Sequence, residues 1–373
     1  MGGNQYYEFR AIDRPLNAND VKALRALSTR ARITNTSFTN SYQWGDFKGD
    51  PVELMEQWFD LHLYLASWGT RCLMIRLPRR LVDQDQVDAF LCADDTARVW
   101  TKGDNLILSI ALDADDLDDE WDDGTGWLSE LAPLRAALLE GDLRVLYLVW
   151  LMAVEADMVE PDETEPLPGL GPLTAALEAF ADFFYIDRDL IAAATEHGAR
   201  PGVGTSDADA APVIAAMTDA EKTGFLRRIF EGDAIVASEL RKLVRARLPT
   251  AAPQAVRTVR DLCARADEFR QAREQAEAAN ALAEQQRREQ EAERARRNRL
   301  AEIEQRGEQV WAEIEAEIQK RNVRGYDGAL VLLGDLKAIA EQKGATDAFA
   351  QRVDALRRRH NQKYTFVERL DLL

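Results

Sequence analysis

Histidine and cysteine are scarce in this chain, at three of each in 373 residues. The cysteines, Cys72, Cys92 and Cys263, form no C-x-x-C, which argues against a thiol zinc framework or a disulfide scaffold and for a reduced, cytoplasmic protein. The histidines, His62, His197 and His360, form no H-x-x-x-H or H-E-x-x-H, so no metal is expected. There is no apolar run of about 18 residues, so no segment is expected to cross a membrane. The opening MGGNQYYEFR has no basic stretch leading into an apolar one, so no signal peptide is expected, and MGGNQY lacks the Ser or Thr of a myristoylation signal. No G-x-S-x-G marks a nucleophile. GARPGVGTS (198–206) lacks the Lys-Ser/Thr of a phosphate loop and reads as an ordinary loop. No cofactor is expected.

Proline is absent beyond residue 253, and between 255 and 321 the one glycine is Gly307. Strong helix formers fill that stretch, which predicts a single long helix, bent at Gly307 if anywhere, spanning on the order of 100 Å. Apolar stripes mark its ends: Val259, Leu262, Ala266 and Phe269, then Leu300, Ile303, Val310, Ile314 and Ile318. The middle, EQQRREQEAERARRNR (284–299), has only Ala292 and Ala295 as apolar residues. A sustained coiled-coil dimer would need apolar a and d positions there, and those positions are Glu, Gln and Arg. The second stripe is expected to pack with Leu330, Leu333, Leu336, Ile339, Phe349, Val353 and Leu356, on helices at 327–343 and 346–360 separated by Gly344.

Charge is unevenly placed. Residues 1–112 carry 13 basic and 14 acidic side chains, and residues 249–373 carry 23 and 22. Residues 113–248 carry 11 and 29, so the whole net charge of −18 lies in the middle third. That localisation marks a separate unit with its own electrostatic character. Arginine outnumbers lysine by 38 to 9, which reads as genomic base composition before function. The densest block, ALDADDLDDEWDDGTGW (111–127), has eight acids between Asp113 and Asp123. As a calcium loop starting at Asp119 it would run through Trp121, Asp123, Gly124 and Glu130, and an indole at the third position cannot ligate. A solvated linker, with a docking role for a basic partner, is the better reading.

The first third alternates strand and helix signals. Tyr7, Phe9 and Ala11 share a face at period two, and Asn17 or Asn19 caps a helix containing Val21, Leu24 and Leu27. Phe38, Tyr42 and Trp44 share another face. Asp50 caps a helix with Pro51 first, predicted to run to Trp68 because it is apolar around most of its circumference. TRCLMIRLP (70–78) is a strand, QDQVDAFLC a short helix, and ARVWTK and NLILSIALD a hairpin across Lys102-Gly103-Asp104-Asn105. His62 would then sit mid-helix as a core side chain, His197 would cap a helix end, and Cys72 would be a small buried side chain on a strand.

The strings YYEFRAIDRPL, LYLASWGTRCLMIRLPRRLV, GDLRVLYLVWL and EPLPGL, with RRRHNQKYTFVERL near the C-terminus, resemble an uncharacterised family of bacterial proteins. The resemblance covers most of residues 5–245 and the last 20 or so, and it implies no activity. The C-terminal tail also looks like tails of bacterial proteins with SWIM-type zinc fingers.

These observations predict an α+β chain. It comprises a small α/β sheet domain (1–112), an acidic linker (113–125), an acidic all-helical domain (126–248), a long single helix (255–321) and a C-terminal helical hairpin packed on the end of that helix (322–373). The function expected is that of a non-catalytic adaptor or scaffold subunit, holding a protein partner with a basic surface through the acidic domain and the long helix. Its candidate contacts are Asp115, Asp116, Asp118, Asp119, Glu120, Asp122 and Asp123. Nucleic acid is not expected as a partner. The residues that could meet it or another anion are Arg79, Arg80, Arg357, Arg358 and Arg359, with Tyr7, Phe9, Phe38, Tyr42 and Trp44 as stacking surfaces near Arg76. The rival readings are an enzyme using Asp46, Asp50 or Arg76 at the mouth of the sheet, and a regulatory or DNA-mimic module. The sequence leaves the oligomeric state open.

Overall fold

The computed structural model describes residues 3–43, 45, 47–92, 96–113, 122–197, 207–248 and 256–371. The chain divides into two compact units, Met1–Ala272 and Arg273–Leu373. The first holds β1 (Gln5–Arg10), α1 (Ala18–Leu27), β2 (Arg32–Ile33), β3 (Ser37–Tyr42), α2 (Pro51–Gln57), β4 (Leu61–Ala66), β5 (Arg71–Pro78), α3 (Gln84–Asp88), β6 (Ala97–Lys102) and β7 (Asn105–Leu112). Helices α4 (Trp127–Leu131), α5 (Pro133–Leu139), α6 (Arg144–Glu155), α7 (Ala175–Phe183), α8 (Arg188–Thr195), α9 (Asp207–Ala216), α10 (Asp219–Phe230) and α11 (Val236–Arg247) follow. Then come α12 (Val259–Arg306), α13 (Glu308–Gln319), α14 (Val323–Lys343), α15 (Thr346–Arg359) and α16 (Tyr364–Leu370).

The strands form one antiparallel sheet in the order β2-β3-β1-β4-β5-β7-β6. Local chemistry sets several boundaries. Asn17 caps α1 and exchanges bonds with Asp20 in a capping box. Asp50 accepts from the Val52 amide with Pro51 at the first helical position. The β6–β7 hairpin turns on Gly103, whose φ of 58° suits glycine, and pairs Lys102 with Asn105.

Three expectations need correction. The helix predicted from Pro51 to Trp68 ends at Gln57, and Leu61–Ala66 is a strand. Leu61, Leu63 and Leu65 enter one core while His62 and Tyr64 face the aromatic one, so β4 is covered on both sides and mimics an all-round apolar helix. Its fate is set by pairing with β1 and β5, which no local propensity announces. The long helix breaks at Gly307, whose φ of 52° and ψ of −123° suit glycine, so α12 and α13 are separate. The stretch GWLSELAPLRAALLEGDLRVLYLVWLMAVEADM (126–158) reads as two helices with Gly141-Asp142 as stop and cap, but it forms three before Asp157, with Pro133 opening the second.

Both faces of the sheet are covered. On one, Tyr7, Phe9, Phe38 and Met74 meet Leu24 of α1 and Leu54 and Met55 of α2. On the other, Leu63, Ile75, Leu108 and their neighbours share one core with α4 to α8. In α6 every residue from Arg144 to Val154 is buried. Val259, Leu262 and Ala266, at the start of α12, join that core. A backbone bridge between Thr164 and Thr258 fixes this start, as does buried Glu165, which accepts from the Tyr147 hydroxyl (2.5 Å) and pairs with Arg257 (2.9 Å).

In the second unit, Ile303, Val310, Ile314 and Ile318 form a core with Ala329, Leu333 and Leu356, flanked by Leu330, Leu336, Ile339, Phe349 and Val353, close to the expected set. Helix α16, not foreseen, closes it with Phe366 and Leu370. Residues 285–299 of α12 are all exposed and are supported along the helix by pairs such as Glu284–Arg288 (2.9 Å) and Glu293–Arg297 (3.2 Å). Such pairs contribute roughly 0.2–0.5 kcal/mol each, so this segment holds its hydrogen bonds weakly. Its amides should exchange with deuterium faster than those of α6, as read by exchange mass spectrometry. Protection of 285–299 equal to that of α6 would mean the segment is buried by something.

Candidate functional site

Of the acidic patch, Asp115, Asp116, Asp118, Asp119 and Glu120 lie outside the described residues. Asp122 and Asp123 are engaged locally. Asp122 accepts from the Gly124 amide (2.9 Å) and the Trp127 indole, and Asp123 accepts from the Thr125 amide (2.8 Å). The Thr125 amide and hydroxyl hold the Asp123 carboxyl below the usual carboxylate range. These two residues shape the entry to α4.

The groups named for chemistry in the sheet domain are engaged structurally. Asp46 and Trp44 lie outside the described residues, and Asp50 is a helix cap. Arg76 donates from Nε (3.1 Å) and Nη2 (2.8 Å) to Oδ1 of buried Asp60. Tyr7, Phe9, Phe38 and Tyr42 pack on one another, on Phe47 and on His62, so the aromatics at strand spacing are core. His62 belongs to β4; it stacks on Phe9 at 3.9 Å and donates from Nδ1 to the Glu8 carbonyl (3.1 Å). Burial pushes its pKa down to about 3. Burial pushes the Cys72 thiol up to about 11, the reverse of an activated nucleophile. His197 follows α8, its carbonyl accepting from the Gly171 amide. Among the described residues, no group of three or more His, Cys, Asp or Glu side chains could hold a metal ion, and no helix is long and apolar enough to cross a membrane.

Arg79 is exposed, with its amide bonded to the Asp104 carbonyl. Arg80 pairs with Asp233 (3.0 Å) and approaches Glu239 (3.7 Å). Arg228 of α10 pairs with the same two carboxylates, at 2.8 and 2.6 Å. This four-membered cluster ties α10 and α11 to the end of β5, and its carboxylates hold the Arg228 pKa above its ordinary value.

The cluster has a consequence for α10. A surface helix normally turns its apolar stripe inward. Here Arg228 is the half-buried anchor, and none of the residues of the helix is buried. Leu226, Ile229 and Phe230, at i, i+3 and i+4, are 66%, 56% and 92% exposed. The helix is attached by its charges and presents its apolar side to solvent. Sequence periodicity shows that Leu226, Ile229 and Phe230 share a face, but not which way the face points.

In the second unit, Arg357 pairs with Asp371 and Arg359 with Glu315, while Arg358 is exposed. His360 is buried, its Nε2 2.7 Å from Glu315. Arg359 and His360 line a pocket together with Arg321, Tyr326, Lys363 and Tyr364. Of the arginine run only Arg359 reaches this pocket, and nothing in the sequence links it to Arg321. Comparison of the chain with protein-family models, with curated proteins and with solved structures found no match.

Proposed function

We propose that the protein is a non-catalytic adaptor that holds a protein partner on the outward apolar face of α10. The observation that carries this reading is the inverted helix: Leu226, Ile229 and Phe230 exposed together while Arg228 makes the attachment. Isolated exposed apolar residues are ordinary, but three on one helix face form a patch of the kind that marks an interaction surface. The occupant we assign is a different protein, with an apolar contact rimmed by Lys and Arg. The segment from 113 to 248 carries a net charge of −18, which attracts such a rim and repels a second copy of this chain.

The test is affinity purification of full-length tagged protein and of F230D and L226D, with light scattering on the purified chain. A partner should be retained by the wild type, cross-link through a basic surface, and be lost in both variants. Its affinity should fall about tenfold or more between low and high salt, because exposed charges are screened within roughly 8 Å at physiological ionic strength. The same partners on wild type and variants, or salt-independent binding, would remove the reading. A homodimer dissolved by F230D would assign the face to a second copy instead.

A further inference from the structure

The second unit contains a cavity of about 740 Å³ formed by the C-terminal ends of α13 and α15, the loop after α15 and the start of α16. That size falls within the range of small-molecule sites. Its lining includes three cations, Arg321, Arg359 and Lys363, and no carboxylate. Glu315, the acid in contact with this group, is already shared between Arg359 and His360.

Cations near helix C-termini have an ordinary role, complementing the negative end of the helix dipole. Lys363 fits that role, donating to the Ile318 carbonyl at the end of α13 (3.0 Å), although an ammonium has two further protons to give. Arg321, the residue after the α13 C-cap, also stands at that helix end, but it is exposed and no ion pair among the described residues engages its guanidinium. Its φ of 52° lies in the left-handed region, where a helix end usually takes glycine or asparagine. Strain of this kind is held by surrounding structure and gathers at ligand sites. Burial, and after it the nearby Arg321 charge, hold the Lys363 pKa below its ordinary value, with Glu315 opposing them. On the same wall Tyr364 is 82% exposed, offering a flat ring with little else covering it.

We propose that this pocket binds a nucleotide, its phosphates on Arg321 and Lys363 and its base against the Tyr364 ring. Guanidinium and ammonium groups recognise phosphate through charge-assisted hydrogen bonds, and aromatic rings stack on any base. The site is distinct from the α10 face and does not depend on it.

Calorimetric titration of the full chain tests the assignment, using each of the four ribonucleoside triphosphates, adenosine and inorganic tripolyphosphate. At least one triphosphate should bind saturably. Adenosine and tripolyphosphate should each bind about tenfold or more weakly, since each lacks one half of the recognition. R321G removes the guanidinium while leaving a residue suited to the left-handed backbone, so its melting temperature should be equal or higher and its nucleotide affinity about tenfold lower. Y364A should weaken binding similarly, with the fold intact by circular dichroism. No saturable binding at millimolar nucleotide, equal binding of tripolyphosphate, or affinity unaffected by R321G would overturn the proposal. Binding of oligonucleotides that tightens with length would also overturn it and make the surface one for nucleic acid.

Discussion

Replacing Asp60 with alanine should destabilise the protein by about 3–5 kcal/mol, the loss expected when one partner of a buried ion pair is removed. Asp60 is fully buried at the entry to β4. Its Oδ2 accepts from the amides of Ile12 (2.6 Å) and Asp13 (2.9 Å), where the chain leaves β1. Its Oδ1 takes both Nε and Nη2 of Arg76 on β5 and lies 3.6 Å from Arg135 of α5. Arg135 is itself buried, donating to the Arg76 carbonyl (2.8 Å) and to Asp13 (2.6 Å). One carboxylate therefore gathers two strands and a helix. Its removal would leave two guanidinium groups short of a countercharge and two amides short of an acceptor. Urea unfolding of D60A, R135A and the double variant measures this. The double variant should cost less than the sum of the singles, because the two share partners. A D60A cost below about 1 kcal/mol would show that water replaces the carboxylate at little expense.

The same cluster shows where sequence reading stops. The Asn17 and Asp50 caps, the Gly103 hairpin and the C-terminal core around Val310 and Ile314 were legible, because each is specified by residues a few positions apart or by a helical period. β4 was not. Leu61, Leu63 and Leu65 carry the strand period, but His62 and Tyr64 between them are covered too, so the alternation is lost among residues that are all inside. Asp60 looks from sequence like any acid on a helix, and its bonds reach back to residues 12 and 13. The candidate sites were less legible still. The Arg357–Arg359 run drew attention as a block of charge, yet the pocket takes only Arg359 from it and draws Arg321 from another helix end. In α10 the stripe is visible, but the inversion depends on Arg228 finding Asp233, Glu239 and their tie to Arg80.

Between pH 6.5 and 4.5 the wild type should lose about 2–3 kcal/mol of stability relative to H62Q, the glutamine keeping an N–H for the Glu8 carbonyl without a titrating ring. His62 is neutral in the fold because it is stacked on Phe9 and enclosed, so that burial lowers its pKa from 6.5 to about 3. Above pH 6.5 the ring is neutral folded or unfolded, and the full stability is present. As pH falls below 6.5 the unfolded chain takes up a proton that the folded chain refuses until about pH 3. Over that window the unfolded state binds more protons, so stability falls with pH, by roughly 1.4 kcal/mol per pH unit. The remaining loss down to pH 3 overlaps the range in which carboxylates titrate, as with Glu221, whose pKa Arg247 and Thr218 hold down at about 2. Glu155, whose carboxyl burial pushes up to about 7, also titrates in the upper window, but it and the other groups are common to both proteins, so the difference between the two curves isolates His62. Urea unfolding at half-unit pH steps gives the two curves. Parallel curves would mean that the folded protein protonates His62 as readily as the unfolded chain, and that the β1–β4 core opens to admit the charge.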